Sequence, residues 1–194
     1  MNDVSTEQVL MPASTEEVAE LLRAGTAGNS RFCTSRVARS GMDSATAVQR
    51  VDLQKMSLIV DYPARDMTVT VQAGMAVSEL TGILAEEKQQ LPIDVVDSSM
   101  SVGALVAGDI AGPRQYGYGT LRDYVIGIEA VDGQGRVFHA GGRVVKNVAG
   151  YDLCRLIVGA RGSLGILTQV TFKLKPLPEY SMLRSYRCDD AAGL

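Results

Sequence analysis

The placement of glycine constrains this chain more than any other feature. Fourteen of its twenty glycines fall between Gly103 and Gly165, inside the stretch Ser101–Pro178. Glycine concentrates where backbone must take a positive φ or approach something closely. Here the glycines punctuate apolar runs and do not form a low-complexity tract. Two readings fit that pattern: a backbone-built cradle for a large ligand, or a loop-rich β domain whose glycines make turns. Spacing alone leaves both open.

The flanking patterns predict an α+β chain in two lobes. Ser14, with Glu17 three residues on, reads as the cap of a first helix with Val18, Leu21 and Leu22 inward and Gly25 and Gly28 ending it. Strands are expected at Arg31–Ser35, Val51–Met56 and Leu58–Tyr62. Met67–Ala73 alternates, with Val69 and Val71 on one face. Val77, Leu80 and Leu84 recur at helical spacing, so the first lobe spans 1–92. A second lobe, 93–178, opens with an extended Ile93–Val96 and a short helix at Val102–Ala107. Tyr124–Val131 and Arg136–Ala140 flank Asp132-Gly133-Gln134-Gly135 as a hairpin. Tyr151–Val158 reads as a helix with Leu153, Leu156 and Ile157 inward. Ile166–Leu174 reads as a strand with Ile166, Val170, Phe172 and Leu174 on one face and Leu167 on the other. The tail, 179–194, has no pattern of its own and is expected to be the start of a further lobe.

Several functions are disfavoured. A net charge of −3 gives no reason to expect nucleic acid or an anionic membrane as partner. No apolar run approaches the roughly 20 residues that span a bilayer, and the N-terminus lacks a secretory pattern. Cys33, Cys154 and Cys188 are odd in number and widely spaced, which predicts reduced thiols, no metal, and a cytoplasmic protein. No nucleophile or metalloprotease motif is present, and His139, the single histidine, reads as a structural residue in a strand. Gly159, Gly162 and Gly165 form G-x-x-G-x-x-G, but in the order helix, glycines, strand. The dinucleotide fingerprint needs strand, glycines, helix.

Two strings are more specific: LPIDVVDSSMSVGALVAGDIAGPRQYGYGTLRDYVIGIEAV, and GRVVKNVAGYDLCRLIVGARGSLGILTQVTFKLKPLPE. They resemble the PCMH-type FAD-binding domain of the vanillyl-alcohol-oxidase flavoprotein family, and within it the glycolate-oxidase branch of FAD-binding subunits. The resemblance is strong from about Met67 to Pro178 and weak before Ser57. It implies FAD in a crevice between two lobes, held largely by main-chain donors. The matching positions are Ser101, Val102 and Gly103; Gly108, Asp109 and Gly112; Tyr118, Gly119 and Thr120, with Asp123; and Gly165 with Ile166. Lys146, Asn147 and Tyr151 match branch residues of no derived role. The chain also departs from the family. Ser35–Gly41 replaces a glycine-rich phosphate loop, Ala104 replaces a glycine, and Asp109 replaces an asparagine whose amide would not repel a diphosphate. No His or Cys stands where some members tether flavin, so FAD is expected to be non-covalent. The resemblance further implies partners, namely catalytic flavoprotein and iron–sulfur subunits, with a small 2-hydroxy acid as the complex's substrate. The departures suggest an alternative: a flavin-free structural or assembly subunit.

Overall fold

The computed structural model describes residues 9–28, 30–34, 48–142, 152–182 and 184–185. Strand β1 (Val9–Leu10) leads into helix α1 (Thr15–Ala27). Ser14 is extended, and its Oγ accepts the Glu17 N–H at 3.2 Å. Glu17 Oε2 reaches back to accept the Ala13 N–H at 2.8 Å. The expected cap thus forms, with its return bond one residue earlier than in a capping box. Gly28 closes the helix. Gly25 does not end it: Gly25 is buried within α1, where a Cβ would run into the Phe32 ring. Strands β2 (Arg31–Cys33) and β3 (Val48–Val51) complete a parallel three-stranded sheet, order β1-β3-β2.

The expected strand Val51–Met56 stops at Val51. Asp52 Oδ1 accepts the Gln54 N–H at 3.1 Å, and the Met56 N–H bonds to the Leu53 carbonyl at 2.8 Å, which turns the chain. The chain then gives β4 (Ile59–Asp61), β5 (Thr68–Gln72), α2 (Val77–Glu86), β6 (Gln89–Gln90), α3 (Val102–Gly108), α4 (Gln115–Tyr118), β7 (Val125–Val131), β8 (Val137–Gly141), α5 (Leu153–Ile157), β9 (Ile166–Lys173) and β10 (Lys175–Pro176). Ile93–Val96 joins no strand. The second sheet is antiparallel, order β4-β5-β9-β7-β8, with β9 central. Two of its strands, β4 and β5, precede residue 92, and the change from one sheet to the other falls between Val51 and Ile59.

Two hydrophobic clusters hold these layers. The larger packs Val69, Val71, Val170 and Phe172 of the second sheet against Leu80 and Leu84 of α2 and Val102, Leu105 and Val106 of α3. The smaller joins Val18, Ala19 and Leu22 of α1 to Val51, Met56, Val131 and Ile166. Each fully buried side chain of this kind contributes roughly 1.5–3 kcal/mol of transfer free energy. Because Val131 and Ile166 belong to the second sheet, α1 docks the first unit onto the second.

Two inward-facing assignments are corrected. Along β9, Ala130 pairs with Leu167 and Glu129 with Gln169, leaving Thr168 as an extra residue. This bulge switches the face, so Leu167 joins Val170 in the larger cluster while Ile166 faces α1. In α5, Leu156 is 56% exposed and Cys154 is buried in its place. The helix begins only at its Asp152 cap, whose Oδ1 accepts the Arg155 N–H at 3.1 Å, and its five residues set a different face inward.

Candidate functional site: a groove between the two sheets

Where α1 ends and β2 runs toward Thr34, a groove opens against the turn that feeds β9. One wall is Leu22, Thr26, Ser30, Arg31, Phe32, Cys33 and Thr34; the other is Gly133, Arg161, Gly162, Ser163, Gly165 and Ile166. Thr26 Oγ1 donates to the Gly133 carbonyl at 2.5 Å and ties the walls together. Gly162, at φ 79°, faces Thr34 across the groove, where a Cβ would make ordinary contact with Oγ1 at 3.6 Å. Among the described residues, the lining holds two arginines and no carboxylate. Among the described residues, neither Arg31 nor Arg161 makes an ion pair with an acid.

Of the residues singled out from sequence, Gly165 and Ile166 line this groove. Gly165 takes φ 151°, and a Cβ there would strike the Val131 carbonyl, so its smallness first serves strand packing. The other glycine-rich segments form a connected wall beside the groove. Ser101 Oγ caps α3 by accepting the Ala104 N–H at 3.2 Å. Val102 N–H donates to Met75 O at 2.8 Å, Gly103 N–H to Ala73 O at 2.7 Å, and Leu105 N–H to Ser101 O at 2.9 Å. The first turn of α3 therefore spends its donors inside the protein, which the family pattern did not reveal. Gly103 is required by contact, since a Cβ would sit 3.0 Å from Ala73. Ala104 is exposed on the helix and needs no glycine.

Asp109 closes α3 in the left-handed region, φ 48° and ψ 50°. Asn and Asp share a tolerance for that conformation, which accounts for one replacing the other here. Its Oδ2 lies 3.2 Å from Arg122 Nε, so its charge is compensated locally. The Gly159 and Arg161 N–H groups donate to the Val106 and Ala107 carbonyls at 3.1 and 2.9 Å, joining the end of α3 to the groove's turn. Gly108 abuts Ile110, and Gly112 packs on Asp94. Asp94 accepts the Arg114 N–H at 2.7 Å and pairs with Arg114 Nε; these bonds, the backbone one foremost, hold its pKa below the usual value. Tyr118 gives its carbonyl to the buried Tyr124 hydroxyl at 2.6 Å. Gly119, at φ 94°, lets Thr120 turn so that its N–H and Oγ1 both donate to Asp123 Oδ2, at 2.8 and 3.0 Å. That bonding lowers the Asp123 pKa. The segment Ser35–Gly41 and the residues Lys146, Asn147 and Tyr151 lie outside the described residues.

A second polar cluster was not foreseen. Glu129 is 15% exposed at its side chain, and its Oε1 accepts from Thr15 Oγ1 at 2.6 Å, Thr168 Oγ1 at 2.8 Å and Gln169 Nε2 at 2.9 Å. His139 Nε2 lies 2.9 Å from Oε2. Burial pushes the Glu129 pKa up, but the bonds from Thr15, Thr168 and His139 outweigh it, and the net shift is downward. The hairpin register makes this pair legible in principle: a turn joining Val131 to Val137 sets Glu129 opposite His139.

A sequence model described as the FAD binding domain matches residues 6–141. The chain belongs to this PCMH-type FAD-binding family. It is 36% identical over 136 residues to glycolate oxidase subunit GlcE of Escherichia coli strain K12, covering 69% of this chain and 39% of that protein. It is 37% identical over 141 residues to glycolate oxidase subunit GlcD of Bacillus subtilis strain 168, covering 71% of this chain and 30% of the relative. The chain thus spans well under half the length of these relatives. Its fold superposes on alkyldihydroxyacetonephosphate synthase with a TM-score of 0.75 at 23% identity, covering 89% of this chain and 32% of that one. The expected α+β flavoprotein fold stands.

FAD is the cofactor of this family, and the groove's donor set fits it. A diphosphate needs positive charge and O–H or N–H donors; Arg31, Arg161, Ser30 and Thr34 supply them with no acid among the described lining residues. Leu22, Phe32 and Ile166 offer apolar surface for a ring system. Among the described residues no group of His, Cys, Asp and Glu could hold a metal, and no helix is long and apolar enough to cross a membrane.

Proposed function

We propose that this chain is the flavin-holding part of a glycolate-oxidase-like dehydrogenase acting on a small 2-hydroxy acid. The observation that carries the reading is the groove between the sheets, whose described lining carries two arginines and no acid, in a chain matched to the FAD binding domain over residues 6–141. Similarity to two glycolate oxidase subunits supports the substrate class and an assembly with other subunits, and we propose that catalytic flavoprotein and iron–sulfur chains are among them. Bound FAD supplies two-electron acceptor chemistry. This chain's residues bind and orient: the groove holds one end of the cofactor. The wall formed by Ser101, Val102, Gly103, Gly108, Asp109, Gly112, Tyr118, Gly119 and Thr120 fixes the turn that carries Arg161, Gly165 and Ile166.

The flavin is held without a covalent bond. His139 is committed to Glu129, and burial first, then the Asp152 charge, raises the Cys154 thiol to about 11, where it is a poor nucleophile. The odd number and wide spacing of Cys33, Cys154 and Cys188 support a reducing compartment such as the cytoplasm. Purified chain titrated with FAD should quench flavin fluorescence saturably, and acid precipitation should release all flavin to the supernatant. Flavin retained in the precipitate would refute the non-covalent mode. No quenching at saturating FAD would favour the flavin-free assembly role instead.

A further inference from the structure

Resting on the FAD-holding role, we infer that Arg161, assisted by Arg31, is the charge partner of the adenosine diphosphate half of the cofactor in this chain. Three independent features of Arg161 point the same way. It lines the groove opposite Arg31. Its guanidinium has no carboxylate partner among the described residues, whereas Arg50, Arg114, Arg122, Arg136 and Arg155 all pair with an aspartate. Its backbone sits at φ 51°, a region that glycine fills without cost and arginine does not, directly before Gly162 at φ 79°. An unpaired cation kept on a strained residue inside a groove is a departure from what stability alone would select, and such departures cluster at ligand sites.

The anion follows from the surroundings. With two guanidiniums, the hydroxyls of Ser30 and Thr34, and no acid among its described residues, the lining suits a doubly charged group better than a neutral isoalloxazine. Phe32 and Ile166 beside the cations suit a purine attached to that group. The turn's anchorage fixes where the charge lies: the Arg161 N–H donates to Ala107 O at 2.9 Å, and Ser163 Oγ donates to Ala160 O at 2.7 Å.

The test is calorimetric titration of the chain with ADP, with riboflavin and with FAD, comparing wild type with Arg161→Gly, Arg161→Glu and Arg31→Glu. Arg161→Gly relieves the left-handed strain, so it should melt no lower than wild type while binding ADP at least about tenfold more weakly, the loss of one charge-assisted hydrogen bond. Arg161→Glu should lose more, Arg31→Glu less, and riboflavin affinity should stay within about twofold in all three. Wild-type ADP affinity should fall as salt rises, and that dependence should flatten in Arg161→Gly. Unchanged ADP affinity in Arg161→Gly, or equal losses for riboflavin and ADP, would overturn the assignment while leaving FAD binding intact. Failure of wild type to bind FAD at all would instead overturn the function on which it rests.

Discussion

Replacing Glu129 by Gln should expose how α1 is latched to the second sheet. The carboxylate accepts three hydrogen bonds at Oε1, from Thr15, Thr168 and Gln169, and faces His139 at Oε2. A hydrogen bond to a charged group contributes about 1.5–3 kcal/mol net and a neutral one about 0.5–1.5 kcal/mol, so neutralising the acceptor weakens each by roughly 1 kcal/mol. A buried amide is cheaper to desolvate than a carboxylate, which returns part of that. We expect a net loss of about 1–3 kcal/mol at pH 7, or a melting temperature lower by several degrees. The pH dependence fixes the sign. The folded pKa lies below the ordinary 4.5, so the stabilisation is fully present above the unfolded value and is lost as pH falls through the folded one. Urea unfolding of wild type and Glu129→Gln at pH 7, 5 and 3.5 should therefore show a gap that narrows with acid. Equal stability at pH 7, or a gap independent of pH, would refute the latch.

Other outcomes follow from the same geometry. Gly165→Ala should destabilise the chain by more than about 2 kcal/mol with or without FAD, because its Cβ meets the Val131 carbonyl at φ 151°; a loss seen only in the presence of cofactor would contradict a packing role. Asp109→Asn should change melting by little, since Asn also tolerates the left-handed cap and the Arg122 pair is partly exposed, whereas Asp109→Ala should cost about 1 kcal/mol; a large effect of Asn would count against this. Cys154, with its thiol raised to about 11, should resist iodoacetamide at pH 8 until the chain is unfolded, as read by mass spectrometry of the alkylated peptide.

Local chemistry explains which parts of the fold could be read from sequence. Ser14 and Glu17 announce α1, the Val69 and Val71 alternation announces β5, and Asp132–Gly135 announces the β7–β8 hairpin, because each signal lies within a few residues of its effect. The face switch in β9 was hidden because the bulge at Thr168 arises from pairing with β7, nearly forty residues away in sequence. Leu156 turned outward because the cap at Asp152 sets the phase of α5, and periodicity alone does not fix phase. The glycine-rich segments mark the site region, yet most of their glycines answer to neighbours: Gly103 to Ala73, Gly112 to Asp94, Gly119 to Asp123. Arg31 and Arg161 escaped notice because an arginine's pairing depends on what the fold brings near it. Among the described residues, the fold brings an acid to neither.

The central claim is that the groove between the sheets holds FAD by its adenosine diphosphate end. Titrating the purified chain with FAD while ADP competes tests it most directly. The account predicts saturable, one-to-one flavin quenching that ADP reverses and riboflavin displaces poorly. Flavin binding that riboflavin displaces and ADP leaves untouched would contradict it.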